Sequence, residues 1–324
     1  MTAAPVLVAP DSFKGTFSAA EVAAAVAAGL RSAGREAVEL PVADGGEGTM
    51  DVLFTVLGGE RCTATVSDPL GRPVQAAFVL LPDGATAVVE AAQASGLGLV
   101  AEDERDAFAA SSEGTGELIV AAAAAGADTV LVTVGGSATT DGGTGAVRAL
   151  EEAGVSPRLE VLCDVNTPFE EAPRVFAPQK GADPATVKRL EKRLDGAAEH
   201  APRDPRGVPM TGAAGGLSGG LWAHRDAELK PGAAYVLDAI GFDEAMRAAA
   251  FVVTGEGRLD EQTLTGKVVG EVATRCRQRG VTCHVVCGAD SLSLFDHRLI
   301  DLASVTEAGT LEEMERAGAM LVSA

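Results

Sequence analysis

The sequence predicts an α/β protein with two domains, and three observations support this. Short apolar runs followed by Gly-rich loops and Ala-rich segments recur near both chain ends, which is the pattern of βαβ units. The stretch from 62 to 90 instead has β-rich segments joined by tight-turn sequences, which is typical of antiparallel strands. The length of 324 residues and the hydrophobic content of 47% are sufficient for two buried cores.

We therefore expect a Rossmann-like parallel-sheet domain formed by both chain ends, residues 1–61 and 226–324. The segment 62–225 is expected to form an inserted second α/β domain with a mixed sheet. Such an insertion is compatible with folding because the two ends of a domain commonly lie close together at its surface.

The predicted elements follow from hydrophobic periodicity and capping signals. Strands are expected at Val6–Ala9, Ala37–Val42, Cys62–Val66, Pro73–Leu80, Ala87–Glu90, Val130–Val134, Glu160–Cys163, Phe251–Thr254, His284–Cys287 and Leu302–Thr306. Helices are expected at Ala19–Ser32, after Thr49 through Val56, from an opening at Ser111–Gly116 to about Ala125, after Gly145, at Pro184–Ala198 and at Val268–Arg279. Ser18 and Glu21 form a capping box that fixes the start of the first helix.

The net charge of −20, from 26 basic and 46 acidic residues, disfavours nucleic acids and anionic membranes as partners. We therefore expect small-molecule partners, and the sequence leaves the oligomeric state open. Lysines are few in this chain, so a lysine within a Gly-rich polar loop is a candidate for binding an anion.

The cysteines are an odd number, 5, and none forms a C-x-x-C pair, which indicates reduced thiols and a cytoplasmic location. The N-terminal sequence has no basic region typical of a signal peptide. No apolar run reaches the ~18 residues of a membrane span.

The central segment of the chain is the strand Val130–Val134 with the loop that follows it. The loop, Gly135–Gly143, has no bulky side chain, so its backbone can approach a ligand closely. The helix that follows would favour an anion such as phosphate at its N-terminus. A tight strand-to-helix turn without a ligand is the alternative interpretation.

Polar residues also follow other predicted strands, where ligands bind in open α/β sheets. Lys14 is either an anion ligand or a solvated loop lysine. Asp164 is either a base or magnesium ligand, or a cap of the next turn. The hydroxyls of Ser111, Ser112 and Thr115 fit helix capping as well as ligand binding.

Three standard motifs fail in context. Gly255-Glu-Gly257 lacks the third glycine of the dinucleotide fingerprint, and Gly266-Lys267 lacks the first glycine of a P-loop. The segment around Ser218 matches the nucleophile-elbow pattern, but Gly and Ala precede it where an apolar strand is needed. A serine hydrolase using Ser218 with His284 or His297 therefore remains a remote alternative. The loops of Asp, Gly, hydroxyl and Lys residues favour phosphoryl transfer.

Several segments together resemble the glycerate kinase family, of the bacterial glycerate 2-kinase type. They are APDSFKG (9–15), PVADGGEGT (41–49), GTGELI (114–119), GGSATTDGG (135–143), CDVNTP (163–168), FAPQKGA (176–182), GAAGGL (212–217), LKPG (229–232) and TGEGRLDEQTLTGK (254–267). They occur in the same order over nearly the whole chain, which is far more specific than any single glycine loop.

The resemblance implies an enzyme that uses ATP and Mg2+ to phosphorylate D-glycerate, with the site between two α/β domains. Transfer to the 2-hydroxyl would give 2-phosphoglycerate and ADP. A related hydroxy acid, or the 3-hydroxyl of glycerate, is the alternative acceptor. A sugar-acid or nucleotide binding protein without turnover is a more remote alternative.

The resemblance also implies the site residues. The catalytic set is Lys14, Asp44, Asp164 and Lys267. The substrate- and phosphate-binding set is Ser12, Gly45, Gly46, Gly135, Gly136, Ser137, Thr139, Asp141, Gly142, Gly143, Arg258 and Asp260. The metal ligands are Asp164 and Asp260. That Asp164 is the general base is our own hypothesis, from its position at the end of a strand.

One departure from the family pattern lies between Gly154 and Arg158, where the chain passes almost directly from helix to strand. Family members carry an inserted segment of a few tens of residues there. Its loss would affect substrate affinity, substrate choice or assembly more than the chemistry.

Overall fold

The computed structural model describes residues 4–265 and 267–322, with the side chain of Thr265 left out. The chain divides into two compact units, which are described separately. The first contains residues up to Asp44, Asp51–Val56 and the chain from Ala233 onward. The second contains Gly45–Met50 and Leu57–Gly232. The domain limits 1–61 with 226–324 and 62–225 remain a prediction.

The strands and helices alternate along much of the chain. They are β1 (Val6–Pro10), α1 (Ala19–Ser32), β2 (Ala37–Glu39), α2 (Thr49–Leu57), β3 (Glu60–Ser67), β4 (Pro73–Leu80), β5 (Thr86–Glu90), α3 (Ala92–Ser95), α4 (Glu113–Ala124), β6 (Thr129–Val134), α5 (Thr144–Ala153), β7 (Arg158–Cys163), α6 (Ala172–Phe176), α7 (Pro184–His200), α8 (Ala213–Arg225), β8 (Glu228–Pro231), α9 (Gly232–Ala239), α10 (Phe242–Ala248), β9 (Val252–Leu259), α11 (Val268–Arg279), β10 (Cys283–Asp290), α12 (Leu294–Leu299), β11 (Leu302–Glu307) and α13 (Leu311–Met320). No helix in the described ranges is long and apolar enough to cross a membrane.

The first unit contains a five-stranded sheet in the order β11-β10-β9-β1-β2. Every neighbouring pair is parallel, and the N-terminal β1 lies between β2 and the C-terminal β9. Both chain ends therefore build one parallel sheet, which confirms the predicted fold class for this part. Helix α1 begins as predicted, because Ser18 accepts a hydrogen bond from the Glu21 amide and the capping box is complete.

Helices α1 and α13 of this unit pack with their backbones in close approach. A Cβ atom on Gly29 would lie 1.8 Å from the Glu315 carbonyl oxygen, and one on Gly318 would lie 2.3 Å from that of Val26. Only glycine fits at these two positions. The sequence prediction contained no helix at α13, so it missed this contact.

The second unit contains a six-stranded sheet in the order β3-β4-β5-β6-β7-β8. The pairs β3–β4 and β4–β5 are antiparallel, and the remaining pairs are parallel. This mixed sheet confirms the prediction for the inserted segment. Strand β6 is almost fully buried in the middle of the sheet, so the loop after it is held by strands on both sides.

Two predicted strands have different limits in the structure. Strand β2 ends at Glu39, although Leu40 and Val42 still donate hydrogen bonds to carbonyls of β1. Strand β9 continues to Leu259, because its pairing with β10 extends along the Gly255–Gly257 segment. The residues Glu256 and Arg258 therefore lie on a strand, whereas the sequence placed them in a loop. The prediction also lacked β8, α9, α10 and α12.

Candidate active site

The first unit has a cavity of about 440 Å³ at the carboxyl ends of its parallel strands. Its walls are formed by Asp11, Ser12, Phe13, Lys14, Thr16, Asp44, Glu256, Gly257, Arg258, Asp260, Lys267, Gly288, Ala289 and Gly309. The structure thus brings together six of the residues predicted from the sequence, namely Ser12, Lys14, Asp44, Arg258, Asp260 and Lys267.

Lys14 and Asp44 form an ion pair in this cavity, with 2.8 Å between Nζ and the carboxylate oxygen. The Lys14 side chain is 54% exposed, whereas that of Asp44 is only 3% exposed. Lys14 thus lines the cavity paired with Asp44, and its role as an anion ligand remains a prediction.

Two carboxylates in the same cavity were not among the predicted site residues. Burial and the negative charge of Asp44 raise the pKa of Asp11 well above its usual value, and Lys14 only partly opposes this. Burial raises the pKa of Glu256 to about 7, although Thr263 donates a 2.6 Å hydrogen bond to it. Asp11 immediately follows β1, and this position at the end of a strand could have identified it as a site residue. Glu256 is buried because β9 extends beyond Thr254, and no local sequence pattern indicates this burial.

The residues of this cavity fit a bound magnesium ion. Oxygen atoms of one or two carboxylates, with water and substrate phosphates, are the ligands that Mg2+ uses in kinases. Asp11, Asp44, Glu256 and Asp260 supply carboxylates to the same cavity. Within 4–265 and 267–322, no three histidine, cysteine, aspartate or glutamate side chains form a preformed metal cluster.

The second unit has a smaller cavity of about 260 Å³, beyond the carboxyl ends of β6 and β7. It is lined by Leu97, Val134, Gly135, Gly136, Ser137, Asp164, Val165, Phe176, Gln179, Lys180 and Ala214. Four predicted site residues, Gly135, Gly136, Ser137 and Asp164, thus share this cavity. The remaining predicted residues of this unit lie elsewhere.

Lys180 is a residue of this cavity that the sequence-based prediction missed. Its side chain is buried, and Nζ donates to Ser137 Oγ at 3.0 Å and to the Thr139 carbonyl at 2.5 Å. Burial lowers the pKa of Lys180 to about 7, and the charge of Asp141 only partly opposes the shift. The scarcity of lysines and the motif around 176–182 were the signals that could have identified it.

The second half of the Gly-rich loop is hydrogen-bonded and packed within the second unit, and its predicted role in binding an anion remains a prediction. Asp141 is buried, and its carboxylate accepts hydrogen bonds from the amide and hydroxyl of Ser112 at 2.9 and 2.8 Å. It also accepts from the amides of Gly143 and Gly145 at the start of α5. The anion at this helix N-terminus is thus the protein's own carboxylate.

The neighbours of Asp141 are close-packed. A Cβ atom on Gly142 would lie 2.9 Å from the Phe169 ring, and one on Gly143 would lie 2.9 Å from the Leu217 carbonyl oxygen. Thr139 is fully buried. Thr139, Asp141, Gly142 and Gly143 do not line either of these two cavities, although Gly142 lines a third one of about 220 Å³.

Gly45 and Gly46 allow two loops of the second unit to approach each other. A Cβ atom on Gly45 would lie 2.6 Å from Gly232 Cα, and one on Gly135 would lie 2.8 Å from Gly46 Cα. The Gly45 carbonyl also accepts a hydrogen bond from the Val134 amide. These glycines hold the Gly135 loop in place and are not among the residues lining the two cavities.

The structure contradicts the nucleophile-elbow interpretation of Ser218. This residue lies just after Ala214–Gly216, whose left-handed backbone interrupts α8, and it is fully buried. Its hydroxyl donates to the carbonyls of Met210 and Ala213. A nucleophile elbow places its serine on a sharp strand-to-helix turn with the hydroxyl exposed. Ser218 therefore stabilises the start of α8.

Phosphoryl transfer requires cations, carboxylates and backbone donors around the phosphates. The two cavities supply lysine and arginine side chains, carboxylates and Gly-rich backbone at the ends of parallel strands. The fold and these cavities therefore define an α/β phosphotransferase for small molecules. Comparison with known proteins agrees. The model of the glycerate kinase family matches this chain over residues 6–156 and 151–322. The two matched segments meet at 151–156, beside the departure from the family pattern at Gly154–Arg158.

Individual relatives cover nearly the whole chain. The glycerate 2-kinase of Escherichia coli (strain K12) is 37% identical over 354 aligned residues, covering 96% of this chain and 93% of the relative. The glycerate kinase of Bacillus subtilis (strain 168) is 38% identical, covering 93% of this chain and 90% of the relative. A Salmonella typhimurium LT2 crystal structure assigned to glycerate kinase 2 superposes with a TM-score of 0.82 at 32% identity, covering 99% and 98%. The chain belongs to the glycerate kinase family and is a kinase.

Proposed function

We propose that this enzyme transfers a phosphoryl group from ATP to the 2-hydroxyl of D-glycerate, giving 2-phosphoglycerate and ADP. The relatives named above carry glycerate kinase or glycerate 2-kinase names, which supports this acceptor. The observation that carries the proposal is the cavity of the first unit. It combines the cations Lys14, Arg258 and Lys267 with carboxylates at the carboxyl ends of parallel strands.

The cations of this cavity suit the charge of a polyphosphate or of the glycerate carboxylate. Lys14 is already held in place by Asp44, so its ammonium is oriented before a substrate arrives. Lys267 is the N-cap residue of α11, where the helix end itself favours a negative group. A bound Mg2+ would neutralise the negative charge that builds up on the transferred group.

The reaction also removes a proton from the attacking hydroxyl. Asp164 lines the smaller cavity beside Ser137, and we retain it as the proposed general base. Asp44 remains the second carboxylate proposed to act near the hydroxyl and the metal. Asp260 and Asp164 remain the proposed metal ligands.

The position of transfer is tested by proton-coupled phosphorus NMR of the product made from D-glycerate and ATP. A phosphate on the 2-carbon couples to one proton and gives a doublet, whereas a phosphate on the 3-carbon couples to two protons and gives a triplet. A triplet would replace the 2-hydroxyl with the 3-hydroxyl. Parallel reactions with other hydroxy acids test the choice of acceptor.

A binding protein without turnover is the second candidate, and an ADP-release assay separates it from the kinase. The assay compares ATP alone, ATP with D-glycerate and ATP with L-glycerate, each with and without Mg2+. ADP release that requires D-glycerate and Mg2+ supports the kinase. Release no greater than with ATP alone would favour binding without chemistry.

We further propose that the enzyme acts in the cytoplasm on small molecules, without a nucleic-acid or membrane partner. All five cysteines are free thiols, of which Cys163, Cys276, Cys283 and Cys287 are buried. Reduced, buried thiols are typical of cytoplasmic proteins.

A further inference from the structure

Helix α12 of the first unit begins with two exposed apolar side chains. Leu294 is 75% exposed and Phe295 is 72% exposed, and they occupy the first two positions of the helix. No other large apolar side chain of the described residues is as exposed as these two. Adjacent exposed apolar side chains, unlike isolated ones, commonly mark a binding surface.

The backbone that carries this apolar pair is held in a fixed conformation. The Ser293 hydroxyl accepts a hydrogen bond from the Asp296 amide, and the Asp296 carboxylate accepts from the Ser293 amide, so the capping box is complete. On the next residue, His297 Nε2 lies 3.0 Å from a carboxylate oxygen of Asp290. A ligand that binds the pair therefore does not have to order this segment first.

Helix α12 begins on the same edge of the sheet as the 440 Å³ cavity. It follows β10, whose residues Gly288 and Ala289 line that cavity, and the Ser291 amide donates to the Leu259 carbonyl at the end of β9. A helix that joins two parallel strands runs back from the carboxyl edge of the sheet, so its first turn lies nearest the cavity. The chain from Ala289 to Phe295 spans about 20 Å when fully extended.

The cavity suits the phosphates of a nucleotide better than its base. Its walls are mostly carboxylates, cations, hydroxyls and glycines. Among the described residues that line it, Phe13 is the only aromatic one, and it is buried. Proteins bind the apolar faces of a nucleobase by stacking them on exposed aromatic side chains. Phe295 supplies such a side chain on the same edge of the sheet.

We propose that Leu294 and Phe295 bind the base of the nucleotide whose phosphates occupy the larger cavity. The inference rests on the proposed function, which supplies the nucleotide. The base stacks on the Phe295 ring, and Leu294 adds apolar contact beside it. Because every base has a face that can stack, this surface contributes affinity for the nucleotide more than a choice between bases.

The test compares two ligands that share a diphosphate and differ in the base. Dissociation constants for ADP and for inorganic pyrophosphate, each with Mg2+, are measured with the wild-type enzyme, Phe295→Ala and the control Met320→Ala. Met320 is another exposed apolar residue of the first unit. Phe295→Ala is expected to weaken ADP at least ~5-fold and pyrophosphate less than about twofold, because stacking involves the base alone. The control should change neither by more than about twofold.

Unchanged ADP binding in Phe295→Ala would overturn the proposal. Equal losses for ADP and pyrophosphate would also overturn it, because the effect would then not involve the base. Sedimentation of both proteins tests a second copy of the chain as the occupant. A wild-type dimer that becomes a monomer in Phe295→Ala, with unchanged ADP binding, would assign the surface to that copy.

The same measurements separate this inference from the proposed function. D-glycerate-dependent ADP release by the wild-type enzyme, together with unchanged ADP binding in Phe295→Ala, would overturn this inference alone. A wild-type enzyme that does not bind ADP would contradict both the inference and the proposed phosphoryl donor.

Discussion

In the two cavities of this enzyme, burial shifts the pKa values of ionisable side chains in opposite directions. In the first unit, burial raises the pKa of the acids Asp11 and Glu256, whereas in the second it lowers the pKa of the base Lys180. Both shifts favour the neutral form, because a charge is costly where water is excluded. The larger cavity thus holds acids that a cation would ionise, and the smaller one holds a base that an anion would protonate.

The strongest test of this contrast is Asp164→Asn, which changes the acid in the smaller cavity. If Asp164 is the general base, kcat is expected to fall at least ~100-fold, because general-base groups contribute typically that much. Steady-state kinetics with D-glycerate measure the effect, with Asp195→Asn on the exposed side of α7 as the control. Near-normal turnover in Asp164→Asn would remove this residue from the chemistry and leave the larger cavity with all the reacting acids.

A comparable loss is expected from Lys14→Ala in the larger cavity. This change removes the cation held 2.8 Å from Asp44, so kcat/KM is expected to fall at least ~100-fold. A larger effect on KM than on kcat would assign Lys14 to ground-state binding. Lys188→Ala is the matched exposed control. A loss below threefold would show that Lys14 is not part of the site.

The pH dependence of stability tests the acid-rich cavity directly. Because the folded enzyme holds the pKa of Glu256 near 7, above the usual 4.5, this group favours folding below pH 4.5 and loses that contribution as the pH rises to 7. The resulting change in the free energy of unfolding is on the order of 3 kcal/mol. Urea unfolding measures this dependence. Between pH 4.5 and 8, the free energy of unfolding should decline less for Glu256→Gln than for the wild-type enzyme. The control Glu312→Gln, which changes an exposed residue of α13, should follow the wild type.

Ser218→Ala is expected to have the smallest effect. The hydroxyl is fully buried and donates to backbone carbonyls, so its loss should lower stability by about 0.5–1.5 kcal/mol. Turnover should stay within about tenfold of the wild type, which is roughly 1.4 kcal/mol in the barrier. Thermal unfolding and kinase assays measure both quantities. A loss of turnover well beyond tenfold in a stable variant would mean that Ser218 contacts a reactant.

Local signals were sufficient to predict many elements of both sheets. Ser18 and Glu21 fixed the start of α1, and the limits of α11 were predicted correctly, because both helices depend on neighbouring residues. Strand β9 was predicted too short, because Gly255 and Gly257 resemble a loop until β10 pairs with them. Such pairing depends on residues distant in sequence, which periodicity does not report.

The same distinction applies to the site. The sequence indicated Lys14, Asp44 and Asp164 because each lies in a polar segment after a predicted strand. It did not indicate Glu256 or Lys180, whose properties come from burial by distant elements. The sequence signal at Asp141 was ambiguous, since a carboxylate within a Gly-rich loop looks the same whether it binds a ligand or accepts hydrogen bonds at a helix start.

The position of β1 between β2 and β9 has a consequence for synthesis of the chain. The Ala9 carbonyl accepts a hydrogen bond from the Thr254 hydroxyl, across a sequence separation of 245 residues. On the ribosome, β1 emerges long before its partner strand, and the second unit can complete its sheet first. Strand β9 can therefore pair with β1 only after the second unit has been translated, and a product truncated before β9 would leave β1 with one side unpaired.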